Sequence, residues 1–307
     1  MKKILITSKF FWLFFLYQGA SGVTIADQVC RNSLMNGLQP FLHNINNNIE
    51  VNILSSEINS GKSCEYPLYL SETNTGLIYY TESKYEINSI SSREFFYTSY
   101  DSTSATWKKP INIEKEYLKF REAVKIMNLA DLFITIDDDI YNVNFKSSTF
   151  SPNRLNINTK SIESGPTISP DGNTLYFVSD RKGGYGGKDI WACERLSNGN
   201  WSEPYNLGNT INTSSDEESP YLMADGVTLY FSSKGHDSYG GYDIFITTLS
   251  YDGLWSMPEN IGPPINSTSN DYYYSSDSKG SCAYYSSDKL EKNNQDIYFV
   301  KYNSFTK

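Results

Sequence analysis

One phrase occurs three times in the chain and constrains its fold more than any other feature. The phrase is Trp-x-x-Pro-x-Asn followed by Leu or Ile, and it begins at Trp107, Trp201 and Trp255. A strand-like segment precedes each copy, and 54 residues separate Trp201 from Trp255. A repeat of about 40 to 55 residues with several short strands per unit is typical of a β-propeller. The sequence therefore predicts an all-β protein built as a propeller.

The repeat around residues 217–262 shows the strands of one blade most clearly. Three strand-like segments, at residues 220–223, 228–233 and 243–247, are joined by Asp225-Gly226 and by a glycine-rich loop. Asp-Gly between alternating strands is a strong hairpin signal, and the Trp255 phrase supplies a fourth strand. Extended along the chain, the pattern predicts five blades of four antiparallel strands, at about residues 65–113, 118–157, 163–207, 217–262 and 271–303.

The fifth blade lacks an outer strand, because the chain ends soon after Asp296. Residues 50–54, followed by Ile58-Asn59, resemble Asn206-Leu207 followed by Ile211-Asn212. We therefore predict that an N-terminal strand completes the last blade, which closes the ring and removes an exposed sheet edge. The propeller then spans residues 49–303, after an N-terminal extension at residues 23–48.

The first 22 residues have the pattern of a secretory signal peptide. Lys2, Lys3 and Lys9 precede a short apolar stretch at residues 10–17, and small residues follow at 20–22. No other stretch is apolar enough to span a bilayer, so we expect no transmembrane segment. The signal-peptide pattern predicts a periplasmic or secreted protein, which we expect to be monomeric. The net charge of -9 and the pI of 4.9 argue against nucleic acid as a partner.

Four cysteines are compatible with export, which permits disulfides. Cys30 and Cys64 both lie near the N-terminus, where a bridge between them is one possibility that the sequence leaves open. Cys193 and Cys282 fall in strands of different blades and are expected to be buried thiols.

Residues 169–180, with Gly-Gly-x-Asp-Ile-Trp following at 186–191, resemble the WD-like repeats of TolB-type periplasmic propellers. The version fused to OmpA-like domains in envelope proteins is similar as well. The resemblance covers about residues 50–303 and implies a bacterial envelope protein whose propeller docks a partner. The chain shows no match to the N-terminal domain of TolB, to a tetratricopeptide segment or to the peptidoglycan-binding OmpA-like domain.

Carboxylates recur where the inner strands begin, at one end of the predicted channel. They are candidates for a rim that binds a basic peptide or a cation, and the alternative is a solvated rim without a partner. The residues are Glu65, Glu122, Glu163, Glu217, Glu218 and Asp271.

A second set of acids opens the third strand of the blades, at Asp139, Asp189, Asp243 and Asp296. Such acids could form a ring of ligands or could accept hydrogen bonds from turn amides. Because nearly every blade has one, we predict a structural role. Residues 137–139 and 216–218 are the best candidates for Ca²⁺, but neither has the alternating ligand spacing of a dedicated loop, so no cofactor or metal is predicted.

Two further recurrent features have a structural and a functional interpretation. The glycine-rich loops at residues 183–187 and 235–241 could bind an anion, but hairpin loops that allow positive φ are the simpler interpretation. The repeated tryptophans could stack on carbohydrate, but their recurrence in register favours packing between blades.

Catalysis has little support in the sequence. The only histidines are His43 and His236, and no Gly-x-Ser-x-Gly motif is present. A glycosidase needs two carboxylates about 5 to 9.5 Å apart, whereas blade-equivalent acids in a ring would be spread apart. We therefore predict an exported, non-enzymatic propeller that binds an envelope protein or peptide. The alternatives are a five-bladed glycosidase and a glycan-binding lectin.

Overall fold

The computed structural model describes residues 49–61, 63–70, 76–83, 93–120, 131–143 and 145–302. Regular structure in these residues is almost entirely β, in five antiparallel sheets that succeed one another along the chain. One helical turn lies at residues 117–120. The predicted five-bladed β-propeller is confirmed. The predicted signal peptide, the N-terminal extension and Cys30 lie outside the described residues.

The blades follow the predicted order. The chain enters through β1 (Ile49–Ile53). Blade 1 contains β2 (Ser63–Leu70), β3 (Gly76–Ser83), β4 (Glu94–Asp101), β5 (Thr106–Trp107) and β6 (Ile111–Asn112). Blade 2 contains β7 (Phe133–Ile136), β8 (Asp139–Val143) and β9 (Pro152–Arg154). Blade 3 contains β10 (Glu163–Ile168), β11 (Thr174–Ser179), β12 (Asp189–Glu194) and β13 (Tyr205–Asn206). Blade 4 contains β14 (Glu217–Leu222), β15 (Thr228–Ser233), β16 (Asp243–Thr248) and β17 (Glu259–Asn260), and blade 5 contains β18 (Asp271–Ser276), β19 (Cys282–Glu291) and β20 (Asn294–Tyr302).

Blade 2 shows three strands where four were predicted. Its sheet order is β7-β8-β9, and residues 121–130, which precede β7, lie outside the part of the chain that the structure describes. In blades 3 and 4 all four strands are present, in the order in which they occur along the chain.

The ring is closed by the N-terminal strand, as predicted. All five residues of β1 pair antiparallel with β20, from Ile49 opposite Tyr302 to Ile53 opposite Tyr298. Leu54 and Ile58, which follow β1, are buried in a core cluster with residues of blades 1 and 5. The first described strand is therefore the outer strand of the last blade.

The repeated tryptophans pack between blades, as predicted. Each ring meets, edge to face, an aromatic ring on the second strand of the preceding blade, at centroid distances of 6.0 to 6.2 Å. The pairs are Trp107 with Tyr284, Trp201 with Phe133, and Trp255 with Tyr176. Edge-to-face pairs of this kind stabilise a core beyond the area that they bury.

An asparagine side chain is hydrogen-bonded to the third strand of blades 3, 4 and 5 and to β8 of blade 2, and it is buried in blades 3, 4 and 5. Asn212 donates a hydrogen bond from Nδ2 to the carbonyl of Ile190 and accepts one at Oδ1 from the amide of Ile190, at 2.9 and 2.7 Å. The same pair of bonds joins Asn59 to Ile297, Asn158 to Ile140 and Asn266 to Ile244. The side-chain oxygen thus supplies an acceptor for the strand amide, and the side-chain nitrogen is a second donor to a carbonyl that also accepts a backbone bond from the next segment, as Ile190 does from Leu207.

Candidate functional site

One end of the ring carries most of the residues predicted to be functional. At this end the first and third strands of blades 3 and 4 begin, at Glu163, Glu217, Asp189 and Asp243. The loops between the second and third strands reach the same end. We call this end the entry face.

The carboxylates predicted to form a rim at the entry face are mostly inside the protein. Glu65, Glu163, Glu217 and Asp271 are 0 % exposed, a burial that was not anticipated from the sequence, and binding of a partner by these four residues stays a prediction. Glu217 accepts bonds from the amide and hydroxyl of Thr213 and from Ser233, at 2.7 to 2.8 Å. The carboxylates are buried because donors in the preceding turn and in the neighbouring strand bond to their oxygens and replace water.

The equivalent acids have equivalent partners. Glu163 accepts from Thr159 and Ser179 and also forms an ion pair with Arg181, at 2.9 Å. Asp271 accepts from the amide and hydroxyl of Ser267, at 2.8 and 3.0 Å. The hydrogen bonds of each acid therefore link the start of the inner strand to the turn that precedes it.

Glu218 is the remaining described member of the predicted rim. It is half-buried and forms an ion pair with Lys188 of blade 3, at 2.7 Å. The neighbouring Asp216 forms an ion pair with Lys234, at 3.3 Å. Glu122 lies outside the described residues. Binding of a partner by Glu218 or Glu122 stays a prediction.

Burial changes the acidity of two of these groups. Desolvation raises the pKa of Asp271 to about 6, against which the hydrogen bonds from Ser287 and Ser267 and the charge of Lys289 act. Desolvation raises the pKa of Glu217 as well. The folded protein therefore binds protons at these sites more readily than the unfolded chain does.

We expect Asp271 to make the protein less stable as the pH rises. The folded pKa, near 6, lies above the unfolded value of about 3.9, so the contribution is fully favourable below pH 4 and is lost by pH 6. In the wild type, the free energy of unfolding should fall by about 2 to 3 kcal/mol between pH 4 and 7 because of Asp271. Asp271→Asn should abolish this fall. Urea denaturation at four pH values measures it. Asp237→Asn, at an exposed loop position, is the control, and identical pH profiles for wild type and Asp271→Asn would contradict the assignment.

The aspartates that open the third strands accept hydrogen bonds within their own blades. Asp189 accepts from the amides of Tyr185 and Gly186 and from the side chain of Asn206, at 2.5, 3.2 and 2.8 Å. Asp243 accepts from the amide of Tyr239 at 2.6 Å. It also accepts from the outer-strand side chain of Asn260, at 2.7 Å, which accounts for the asparagine of the repeated phrase.

The other two members of this set differ in detail. Asp139 forms two bonds with the guanidinium of Arg154, at 2.6 and 2.7 Å. Asp296 is buried at 7 % exposure in β20. The structural role of the four aspartates stays a prediction, and these contacts are consistent with it.

The glycine-rich loops are packed against the next blade. A Cβ at Gly186 would lie 2.3 Å from the carbonyl oxygen of Ser215, and one at Gly240 would lie 2.3 Å from the carbonyl carbon of Thr268. Only glycine fits so close to another backbone. The loops are therefore held in place rather than free, although they lie on the surface.

Each of these loops presents one tyrosine to solvent. Tyr185 is 53 % exposed and Tyr239 is 57 % exposed, at equivalent positions of blades 3 and 4. Their backbone amides are fixed by Asp189 and Asp243. The entry face thus carries two aromatic side chains on loops of the same geometry, one blade apart.

A small pocket of about 40 Å³ lies between the inner strands of the ring. Inner-strand residues of blades 1, 3, 4 and 5 line it, among them Pro67, Thr167, Ser219, Tyr273 and Ser275. No charged side chain belongs to this lining in the part of the chain that the structure describes.

The described residues do not form a metal site. No group of three or more His, Cys, Asp or Glu side chains among them could hold a metal ion. Asp137 and Asp138 make the turn between β7 and β8 with positive φ of 48° and 62°, and Asp139 is paired with Arg154. Binding of Ca²⁺ at residues 137–139 or 216–218 stays untested.

The described cysteines and histidine each have defined surroundings. Cys193 and Cys282 are buried thiols, as predicted. A bridge between Cys30 and Cys64 stays untested, because Cys30 lies outside the described residues. His236 packs on Phe231 and Phe245 and its Nε2 lies 2.9 Å from the carbonyl oxygen of Ile211.

The pocket with its serines and the two exposed tyrosines were not predicted from the sequence. The tyrosines could have been identified from the sequence, because Tyr185 and Tyr239 occupy the same position in two glycine-rich loops, 54 residues apart. Nothing in the sequence distinguished the serines of the pocket, because Ser also occurs in other strands, for example β11 and β15.

No helix in the described part of the chain is both long and apolar enough to cross a membrane.

A scan against protein-family models finds no match, and a search of curated proteins finds none. Solved structures that resemble the chain include a TolB-type protein from Agrobacterium tumefaciens, with 14 % identity and a TM-score of 0.40 over 84 % of this chain and 99 % of that one. An endo-arabinase from Bacteroides thetaiotaomicron has 16 % identity and a TM-score of 0.47, over 83 % and 99 %. A sialidase from Streptococcus pneumoniae has 9 % identity and a TM-score of 0.38, and the chain spans 36 % of its length while 69 % of this chain is covered.

Proposed function

We propose that this five-bladed propeller is an exported, non-enzymatic scaffold that binds a protein or peptide in the bacterial cell envelope. The observation that carries the proposal is the pair of exposed tyrosines, Tyr185 and Tyr239, on loops held against the neighbouring blades. The signal-peptide pattern of residues 1–22 supports export.

A fixed aromatic side chain is well suited to protein recognition. Tyrosine supplies a large contact area with only two rotatable angles, so little conformational entropy is lost on binding. Loops that are already ordered add little further cost. Tyrosines are accordingly enriched among the few residues that contribute most of the binding energy at protein interfaces.

The acids at this end support a scaffold rather than a glycosidase. A glycosidase requires two carboxylates that face the substrate. Glu163, Glu217 and Asp271 are instead buried and bonded to turn residues, and the described lining of the central pocket contains no carboxylate. A lectin that stacks sugar on the repeated tryptophans is disfavoured, because those rings pack between blades.

The proposal is tested by affinity capture from an envelope extract, with the partner identified by mass spectrometry and its affinity then measured by titration calorimetry. Tyr185→Ser combined with Tyr239→Ser should weaken binding at least tenfold, since each truncated anchor costs about 1 to 2 kcal/mol. Tyr251→Ser is the matched control, because Tyr251 is 66 % exposed in the turn after β16, at the opposite end of the ring.

Two outcomes would contradict the proposal. Equal partner affinity for the double variant and the wild type would remove the entry-face tyrosines from the binding site. Hydrolysis of a glycoside panel by the purified wild-type protein would contradict the non-enzymatic role.

A further inference from the structure

A proline recurs at one position on the outer edge of blades 1 to 4. In each of these blades the outer strand is followed by a residue whose amide bonds to a carbonyl of the adjacent strand, as Leu207 does with Ile190 at 3.2 Å. The proline lies three positions before that residue. The four prolines, with the residues that donate the amides, are Pro110 with Ile113, Pro152 with Leu155, Pro204 with Leu207, and Pro258 with Ile261.

These prolines occupy backbone positions that face away from their sheets. Successive residues of an antiparallel strand direct their N–H and C=O groups alternately towards the paired strand and away from it. Since the amide three positions later bonds inward, the proline position faces outward. Proline has no N–H to offer there, and proline at an edge is a common means by which proteins prevent further strands from pairing.

Blade 5 carries a valine at the same position. Leu54 donates its amide to the carbonyl of Ile297, at 3.0 Å, and the residue three positions earlier is Val51. β1 pairs at all five of its residues with β20, and no strand of the described residues pairs with its other side. The N–H and C=O groups of Ile49, Val51 and Ile53 therefore point away from the sheet.

The edge of β1 is also the longest outer edge among the described blades. β1 has five residues, whereas the outer strands β6, β13 and β17 have two each and β9 has three. Its side chains are accessible, since Ile53 is 44 % exposed and Glu50 and Asn52 are exposed as well. An unprotected strand edge of this kind is a template on which another strand can pair.

We propose that the outer edge of β1 binds an extended, basic segment of another protein, which adds a strand to blade 5. The backbone of the segment pairs with the outward groups of residues 49–53, and main-chain hydrogen bonds supply the affinity in this mode of recognition. Glu50 and Glu57 are exposed in β1 and just after it, and Lys301, opposite Glu50 in β20, offsets only one of these two charges. Basic side chains in the segment are therefore favoured.

A second copy of the chain is the less favourable occupant of this edge, because the net charge of -9 makes two copies repel each other. The edge belongs to blade 5 and does not include Tyr185 or Tyr239, which lie on loops of blades 3 and 4. Strand addition at β1 is therefore independent of binding by the entry-face tyrosines, and either can fail without the other.

The experiment selects short linear peptides from a displayed library for binding to the full chain, with an excess of the Val51→Pro variant as a soluble competitor. The competitor removes peptides that bind elsewhere on the propeller. The enriched peptides are then synthesised, and their dissociation constants are measured by fluorescence anisotropy. We expect peptides with micromolar dissociation constants that alternate apolar and polar residues, with Lys or Arg among the polar ones.

Two substitutions at one position test the edge directly. Val51→Pro should bind the selected peptides about tenfold more weakly or worse, because it removes the central outward N–H of β1 and its ring obstructs the incoming strand. The variant should fold, since four blades carry proline at this position, and thermal melting checks that it does. Val51→Thr is the matched control, because threonine keeps the N–H and suits a strand, so its affinity should stay within about twofold of the wild type.

Hydrogen exchange in the wild type supplies a test that needs no variant. The outward amides of Val51 and Ile53 face water in the free chain, and a strand paired with them should slow their exchange. Mass spectrometry of the segment of residues 49–54, with and without a selected peptide, measures this protection.

Three results would overturn the proposal. The first is a library that yields no peptide with a preference for the wild type over Val51→Pro. The second is a bound peptide that leaves the exchange of residues 49–54 unchanged, which would place it elsewhere. The third is a wild-type chain that dimerises in analytical ultracentrifugation and becomes monomeric as Val51→Pro, which would assign the edge to a second copy.

Discussion

A chain that begins at residue 62 is expected to lose cooperative folding and to aggregate. This truncation removes β1, which pairs at all five of its residues with β20, and it removes the buried side chains of Leu54 and Ile58. Blade 5 would then expose the edge of β20, which is a template for pairing with other chains. Size-exclusion chromatography and thermal melting followed by circular dichroism would detect the loss.

The control for this truncation is a chain that begins at residue 46. Residues 46–307 form one compact unit and retain β1 with its full pairing. This longer chain should be monomeric and melt cooperatively. A shorter chain that stays monomeric with an unchanged melting temperature would show that the N-terminal strand does not close the ring.

Substitution of the asparagine that closes the ring should have the second largest effect. Asn59→Ala should lower the free energy of unfolding by about 3 to 5 kcal/mol, because it removes three buried hydrogen bonds and leaves the amide of Ile297 without its partner. Two of these bonds join residues 238 positions apart in the sequence, so their loss acts on the closure itself. Chemical denaturation measures the effect.

The control for this variant is another asparagine-to-alanine substitution, at a position in β1. Asn52→Ala should change stability by less than about 0.5 kcal/mol, because Asn52 is exposed in β1 and its side chain bonds only to Glu50 among the described contacts. Equal destabilisation by the two variants would mean that the Asn59 contacts are not what holds the ring together.

The sequence predicted the architecture because the repeat is regular and strand alternation is a local property. The predicted strand at residues 228–233 is β15, with the same bounds, and the segment from Asp243 is β16 within one residue. Closure was predictable because Ile58-Asn59 matches Ile211-Asn212. The structure supplies the physical reason for that match, since the asparagine of each pair clamps a third strand.

Burial of the acids at the strand entries could not be predicted directly. An acid at the start of a strand is usually solvated, yet Glu163 and Glu217 are fully buried. Their partners were present in the sequence as a threonine four residues upstream, at Thr159 and Thr213. Ser233, sixteen residues downstream of Glu217, completes the set only after the hairpin has formed.

The bulges of the inner strands could not be predicted at all. Positive φ is normally signalled by glycine or asparagine, as at Gly165. At Ser219 and Tyr273 the same conformation is imposed by the neighbouring strands, against the preference of the residue. Tertiary structure therefore determines the geometry of the central pocket.

Closure of the ring by its first strand also means that none of the five repeats is terminal. In an open array of repeats, the end units have one neighbour each and fray independently, so the stability of the array is a sum over units. Here the pairing of β1 with β20 gives the last blade strands from both ends of the chain. A substitution that destabilises one blade therefore destabilises the whole ring, and the propeller unfolds cooperatively instead of losing repeats one at a time.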